Sequence, residues 1–247
     1  MQTHAKVFSL PKQGSSAAEY EDASAIATDK FRFAVADGAT ETSFSGIWAR
    51  QLVRAFANER LSIPIAVEEL KSLQSRWQTI VHRHALSWYA EEKANDGAFA
   101  AFIGLELLEE DSEAGPRKVW RATAVGDSCL VQVRRNEIIK AFPLVDSTSF
   151  NDRPNLLCSL LTANGNGGDY LAISNGLWEC DDTFFLMTDA LACWFFKEKE
   201  QGNSPWNVLR DLDTQDGRLF EHLVADLRAG ARIKNDDVTL LRIDVMP

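Results

Sequence analysis

Six carboxylates stand where apolar runs begin or end. Asp22 precedes Ala23–Thr28, Asp37 follows Phe31–Ala36, Asp127 follows Val119–Val125, Asp189 follows Thr183–Met187, and Asp236 and Asp237 precede Val238–Val245. Each is anchored on a rigid segment, with its carboxylate expected to project past a sheet edge. Oxygen donors gathered in this way suit Mg²⁺ or Mn²⁺, hard cations that take carboxylates, carbonyls and retained waters. Two such ions about 3.5–4 Å apart can share a hydroxide and grip a phosphoryl oxygen. Taken singly, an Asp at a strand end is more often a turn former or a helix cap.

The elements that would have to position these residues follow from periodicity. Strands are expected at Val7–Leu10, Ala23–Thr28 and Phe31–Ala36. A helix follows with Trp48, Leu52, Ala55 and Phe56 on one face. Pro64 is expected to open a second helix, whose apolar residues from Leu70 through Trp88 keep helical spacing for about seven turns. Strands then run Phe99–Leu108, Val119–Val125, Leu130–Arg134 and Ile138–Phe142. A polar stretch from Asp146 to Asp169 reads as one long loop, and loops of that length tend to be functional or mobile. Strands resume at Tyr170–Ser174 and Thr183–Met187. Helices are expected at Ala190–Glu200, Trp206–Leu212 and Arg218–Arg228, with a closing strand at Val238–Val245. Strands and helices do not alternate strictly, so two antiparallel sheets stacked face to face with helices outside fit better than a doubly wound sheet.

Composition narrows the class. The 247 residues, 45% hydrophobic and 25% charged, suit one domain spanning the chain. A net charge of −10 and the lack of a basic patch argue against nucleic acid as a partner. No stretch reaches the roughly 20 apolar residues of a membrane span, and Met1–Ser9 carries no signal-peptide core. A monomeric cytoplasmic protein is expected. Cys129, Cys158, Cys180 and Cys193 are widely separated without a CxxC pair, so they read as reduced thiols rather than zinc ligands or disulfides. His82 and His84 are two apart on a helix and do not share a face. Gly165–Gly168 lacks the strand and helix that a phosphate-cradling loop requires.

The segments Glu21-Asp22-Ala23, Phe33-Ala-Val-Ala-Asp37-Gly38, Gly126-Asp127-Ser128, Leu186-Met-Thr-Asp189-Ala190 and Asn235-Asp236-Asp237-Val-Thr239 resemble, in order, the successive motifs of PP2C-type (PPM) metal-dependent serine/threonine phosphatases. Five motifs in order span Glu21 to Ile243. The resemblance implies an α+β fold, a four-layer αββα sandwich of two antiparallel sheets, with a flap at about 146–169 beside the site. It implies Asp37 as the ligand bridging two Mn²⁺ or Mg²⁺ ions, with the backbone carbonyl of Gly38 on one of them. Asp189 and Asp236 would complete one shell, and Glu21 or Asp22 would hold its waters or the partner metal. Asp127 would share a third, weaker position with Asp189. Asp37, Asp189 and Asp236 thus carry the implied catalysis: a metal-bridging hydroxide attacks phosphoserine or phosphothreonine in a phosphoprotein, with no phosphoenzyme.

The chain departs from the family pattern at three points. Ala39 stands where some members place a histidine, so water is left to protonate the leaving group. Ser15–Tyr20 holds no arginine before Glu21, which makes Lys12 the candidate to bind the substrate phosphate and Arg153 a second one. Ala190 replaces the glycine usual after Asp189. The alternative reading is a pseudophosphatase, the same fold kept as a binding or regulatory module. A small-molecule phosphatase is a third.

Overall fold

Strand β3 (Arg32–Gly38) shows how residue alternation builds the layers. Successive strand side chains point to opposite faces, so Phe33 and Val35 share one face while Ala34 and Ala36 share the other. All four are fully buried, so both faces are covered. Phe33 and Val35 join Ile103, Leu105, Leu186 and Leu241 in a core between two sheets. Ala34 and Ala36 lie under Trp48, Leu52 and Phe56 of helix α1 (Ser45–Ala57). Small residues on that face let the helix approach closely. Gly104 does the same on the next strand, where a Cβ would come within 2.7 Å of the Phe56 ring.

The structure, a computed structural model, describes residues 1–40, 42–83, 88–112, 115–151, 153–161, 170–212 and 218–246. One sheet comprises β1 (Gln2–Leu10), β11 (Val238–Met246), β10 (Thr183–Met187), β6 (Cys129–Arg134) and β7 (Glu137–Phe142), in that spatial order. The second runs β2 (Ala23–Ala27), β3, β4 (Phe99–Glu110), β5 (Arg117–Val125) and β9 (Ala172–Leu177), with the short β8 (Leu157–Cys158) beside β4. Every pairing is antiparallel. Helices α1, α2 (Val67–Val81) and α3 (Trp88–Asn95) accompany the second sheet, and Ala94 of α3 joins the core under α1. Helices α4 (Asp189–Glu200), α5 (Pro205–Arg210) and α6 (Arg218–Ala229) cover the first through Phe195, Trp206, Leu209, Phe220 and Val224. Three apolar cores therefore separate four layers, the αββα order expected. Among the described residues no helix is long and apolar enough to cross a membrane.

Several boundaries differ from expectation. The single seven-turn helix is two helices, α2 and α3, and Pro64 lies ahead of both. Helix α2 starts at Val67 because Glu69 reaches back to accept the N–H groups of Ala66 (3.1 Å) and Ser62 (2.8 Å). That satisfies donors a helix start leaves free. Strand β1 begins five residues earlier than Val7, and β9 is shifted to Ala172–Leu177. The Asp146–Asp169 stretch is not a bare loop. Asp146 caps a turn of 3₁₀ helix at Ser147–Ser149, and Leu157 and Cys158 pair with Ala100 and Phe99. Gly165–Gly168, His84 and the rest of 162–169 lie outside the described residues.

Trp48 ties this stretch to the core. Its indole N–H donates to the Leu157 carbonyl at 2.9 Å, and the ring is fully buried. Trp48→Phe keeps much of the ring volume but leaves a buried acceptor short of a donor, a loss of about 1–3 kcal/mol. Urea unfolding should show the midpoint lowered by that free energy divided by the slope, with the slope unchanged. An unaltered midpoint would mean that the bond contributes nothing.

Candidate metal centre

Antiparallel register brings the acidic chain segments to one end of the sandwich. In the second sheet Ala23 pairs with Ala36, so the entry to β2 sits beside the exit of β3. In the first sheet Met187 pairs with Leu240, so the exit of β10 sits beside the entry of β11. The turn Gly126-Asp127-Ser128 carries the chain from β5 in one sheet to β6 in the other. Gly126 is obligatory there, with φ +91° and a Cβ position only 2.7 Å from the Ala101 side chain.

Asp37, Asp127, Asp189 and Asp236 line one cavity of about 790 Å³ at this end. Asp37 does not project beyond a strand end. It lies within β3, opposite Ala101, and its odd number places it on the same face as Phe33 and Val35. The sheets' shared core thus ends in a carboxylate. Asp189 opens α4, where the helix N-terminus favours negative charge.

Asp22 lies behind this group and is nearly inaccessible, at 3% exposure. Its Oδ2 accepts the hydroxyls of Thr239 (2.7 Å) and Thr188 (3.1 Å). Thr239 spends its proton on Asp22, so Tyr20 donates its hydroxyl to Thr239. Among the described residues, Oδ1 of Asp22 has no hydrogen-bond partner. Glu21 points elsewhere: its carboxylate accepts from the Ser45 hydroxyl in the first turn of α1 and lies 3.6 Å from Lys12 Nζ. Gly38 is required by close packing, since a Cβ would fall 2.8 Å from the Glu21 carbonyl oxygen and 2.9 Å from the Ser45 backbone.

Lys12 sits at the rim, with Nζ 3.3 Å from the hydroxyl of Thr40, a cavity residue. Arg153 lines the cavity, together with Ser147, Phe150 and Leu156 of the same stretch. Sequence reasoning missed three further cations on the wall, Lys197, Arg232 and Lys234. Arg232 and Lys234 flank the buried Ile233. That alternation, two residues before an Asp, was the available signal. Lys234 Nζ lies 2.7 Å from Asp236 and 3.6 Å from Asp189. Asp237 faces away from the cavity: its two oxygens accept the N–H groups of Lys12 (2.8 Å) and Glu21 (2.7 Å). It clamps the segment that carries both residues.

Crowding of like charges governs the electrostatics. Burial, then the charges of Asp22, Asp189, Asp127 and Asp236, hold the Asp37 carboxyl well above the ordinary range. Burial pushes Asp22 up to about 8, with Asp237 and Asp189 adding to it against the Thr239 bond. Burial and Asp189 push Asp127 up to about 7. Burial opposes the charge on Lys234, but its bond to Asp236 and the nearby Asp189 outweigh it and raise its pKa. Among the described residues no three of these side chains converge closely enough to hold one ion as they stand. The donor chemistry nonetheless fits divalent cations: every candidate is a hard oxygen, one buried oxygen lacks a partner, and among the described residues Lys234 is the one wall cation paired directly with the acidic group.

Solved structures share this fold. The Mycobacterium tuberculosis serine/threonine phosphatase PstP/Ppp aligns with 100% of this chain and 100% of its own at 15% identity and a TM-score of 0.63. The catalytic domain of PstP in complex with two manganese ions aligns over 100% and 99% at 14% identity and 0.60. RsbX in complex with magnesium aligns over 98% and 94% at 17% identity and 0.52. No family sequence model and no curated protein sequence matches the chain. The chain has the fold of the PP2C-type phosphatases.

The raised carboxyl pKa values set a pH dependence for the metal-free protein. Asp22 and Asp127 hold protons up to about 8 and about 7 when folded, whereas in the unfolded chain they release them near pH 4. The folded state binds more protons in that window, so stability is greatest below it and falls as pH rises through it. The melting temperature in EDTA should drop between pH 5 and pH 8. Mn²⁺ requires ionised ligands, so its stabilising increment should be larger at pH 8. A melting temperature in EDTA that rises with pH would rule out this crowding.

Proposed function

We propose that this chain is a metal-dependent phosphatase that hydrolyses phosphoserine or phosphothreonine in proteins. The observation that carries this reading is the meeting of Asp37, Asp127, Asp189 and Asp236 on one cavity at the end of a PP2C-type sandwich. The manganese and magnesium in the solved structures of like fold support Mn²⁺ or Mg²⁺ as the cations.

In this reading Asp37, with the Gly38 carbonyl, would hold the principal divalent cations, Asp189 and Asp236 would complete one shell, and Asp127 with Asp189 would hold a third, weaker ion. When bound, the ions supply a nucleophile at neutral pH and positive charge for the phosphoryl oxygens. The protein orients the ligands. Thr188, Thr239 and Tyr20 fix the rotamer of Asp22, which directs its unpartnered oxygen. Glu21 is held by Ser45 and Lys12, and it or Asp22 would hold the waters of one ion or the partner metal. Ala39 cannot donate a proton, so the leaving oxygen takes one from solvent. Lys12, at the Thr40 rim, is placed to meet a phosphate entering the mouth.

A second reading has one observation in its favour. Lys234 already neutralises Asp189 and Asp236, as a binding module without metals would require. Calorimetry separates the two, because a pseudophosphatase would take up no Mn²⁺ and turn over no phosphopeptide.

The phosphatase reading requires Mn²⁺-dependent hydrolysis of p-nitrophenyl phosphate and of phosphoserine peptides, abolished by EDTA. Asp37→Asn should lower kcat by more than about a hundredfold, while raising the melting temperature of the metal-free protein, because it removes one of the crowded charges. Hydrolysis that persists in EDTA or in Asp37→Asn would overturn the proposal.

A further inference from the structure

Four cations line the cavity, and their partners differ. Arg232 donates to Glu198 at 2.8 Å, outside the acidic group. Lys197 lies one turn after Cys193 on α4, near enough for its charge to act on that thiol. Among the described residues, Lys234 is the cation of this wall paired with the acidic group itself, Asp236 at 2.7 Å and Asp189 at 3.6 Å. Those are two of the carboxylates that divalent cations would take.

The loop beneath Lys234 is fixed. Ile233 is buried in the core under α4. The Asp236 N–H donates to the Lys234 carbonyl at 3.0 Å, and Arg228 donates to the Asp236 carbonyl at 2.6 Å. Asn235 exchanges bonds with the backbone of Gln13, accepting at 2.8 Å and donating at 3.2 Å. The lysine side chain, by contrast, is 67% exposed. A rigid base therefore carries a mobile, compact charge on a four-carbon stem. A divalent ion on Asp189 and Asp236 would displace a single ammonium from them, yet the tether would keep that ammonium at the mouth of the cavity.

We infer that Lys234 is the site's exchangeable cation: it occupies Asp189 and Asp236 before metal binds and, once displaced, binds the phosphoryl oxygens of the substrate. This role rests on the phosphatase reading and adds to it a group that contacts substrate and sets metal affinity. It has two consequences of opposite sign. Removing the charge should strengthen metal binding, because the ion no longer displaces a competitor. It should weaken phosphate binding to the metal-loaded protein. A residue with a merely structural role would move both in the same direction or neither.

Calorimetric titration of Lys234→Gln and the native protein with Mn²⁺, followed by titration of the Mn²⁺-saturated forms with inorganic phosphate, tests this. The glutamine variant should bind Mn²⁺ about two- to fivefold more tightly, the scale of an exposed ion pair. It should bind phosphate on the order of tenfold more weakly, the scale of one charge-assisted hydrogen bond. Lys234→Arg should restore the phosphate affinity. Unchanged or weaker Mn²⁺ binding in Lys234→Gln would overturn the inference, as would unchanged phosphate binding, and either result would leave the phosphatase reading standing. Absence of Mn²⁺ uptake by the native protein would remove both.

Discussion

Mutual repulsion among buried and half-buried carboxylates is the constraint around which the rest of this molecule is arranged. Asp22, Asp37, Asp127, Asp189 and Asp236 are held together at one end of two stacked sheets, and burial and neighbouring charges act in the same unfavourable direction on Asp37, Asp22 and Asp127. Such a group stays assembled only if the backbone that carries it cannot relax. Register supplies that rigidity, because the Ala23–Ala36 and Met187–Leu240 pairs each place a strand entry beside a strand exit. Three apolar cores of fully buried aromatic and aliphatic side chains supply the opposing free energy. At roughly 25 cal/mol per Å² of apolar surface, cores of this kind can carry several unfavourable charges and still fold.

The polar groups nearest the cluster divide into those that aim a carboxylate and those that hold the chain. Thr239 and Thr188 both serve Asp22, and the proton order along Tyr20, Thr239 and Asp22 leaves the carboxylate as the terminal acceptor. Asp237 shares a motif with Asp236 but does a different job. Its two oxygens take the backbone N–H groups of Lys12 and Glu21, so the segment between β1 and β2 is fastened to the entry of β11. Asn235 and Arg228 add bonds to the same segment, at Gln13 and the Pro11 carbonyl. Adjacent aspartates thus act as a candidate ligand and a clamp, because the bend ahead of β11 turns Asp236 to the cavity while both oxygens of Asp237 bond the segment between β1 and β2.

This division also explains what could be read from the sequence. The layers were legible because β3, β4 and β10 are nearly continuous apolar runs, the mark of strands buried on both faces. The aspartates were legible because they interrupt such runs. Asp37 was misplaced by one step: an Asp after the apolar run Phe33–Ala36 reads as lying outside the strand, whereas pairing with Ala101 keeps it inside. The joined helix was misread because Leu70 through Trp88 keeps helical spacing across a break that only the chain's path reveals. Lys234 was only partly legible, for a different reason. Alternation about Ile233 marks it as exposed near Asp236, but its contact with Asp189, 45 residues away, crosses elements, and periodicity carries no information about that.

Net charge and local charge point in opposite directions here, and the distance scale decides which one a substrate meets. The chain carries −10 overall, which repels a phosphorylated partner at long range. At physiological salt that field decays over about 8–10 Å. Within that distance the cavity wall presents Arg153, Lys197, Arg232 and Lys234, set around the acidic group. With the carboxylates bare, these cations are offset by Asp37, Asp127, Asp189 and Asp236. With divalent ions on the carboxylates, that offset would be removed and the wall would turn positive. In the phosphatase reading the cluster and its cations would form one device, in which occupancy of the acidic group would set the sign of the field at the mouth, and binding of a phosphate would depend on binding of metal before it.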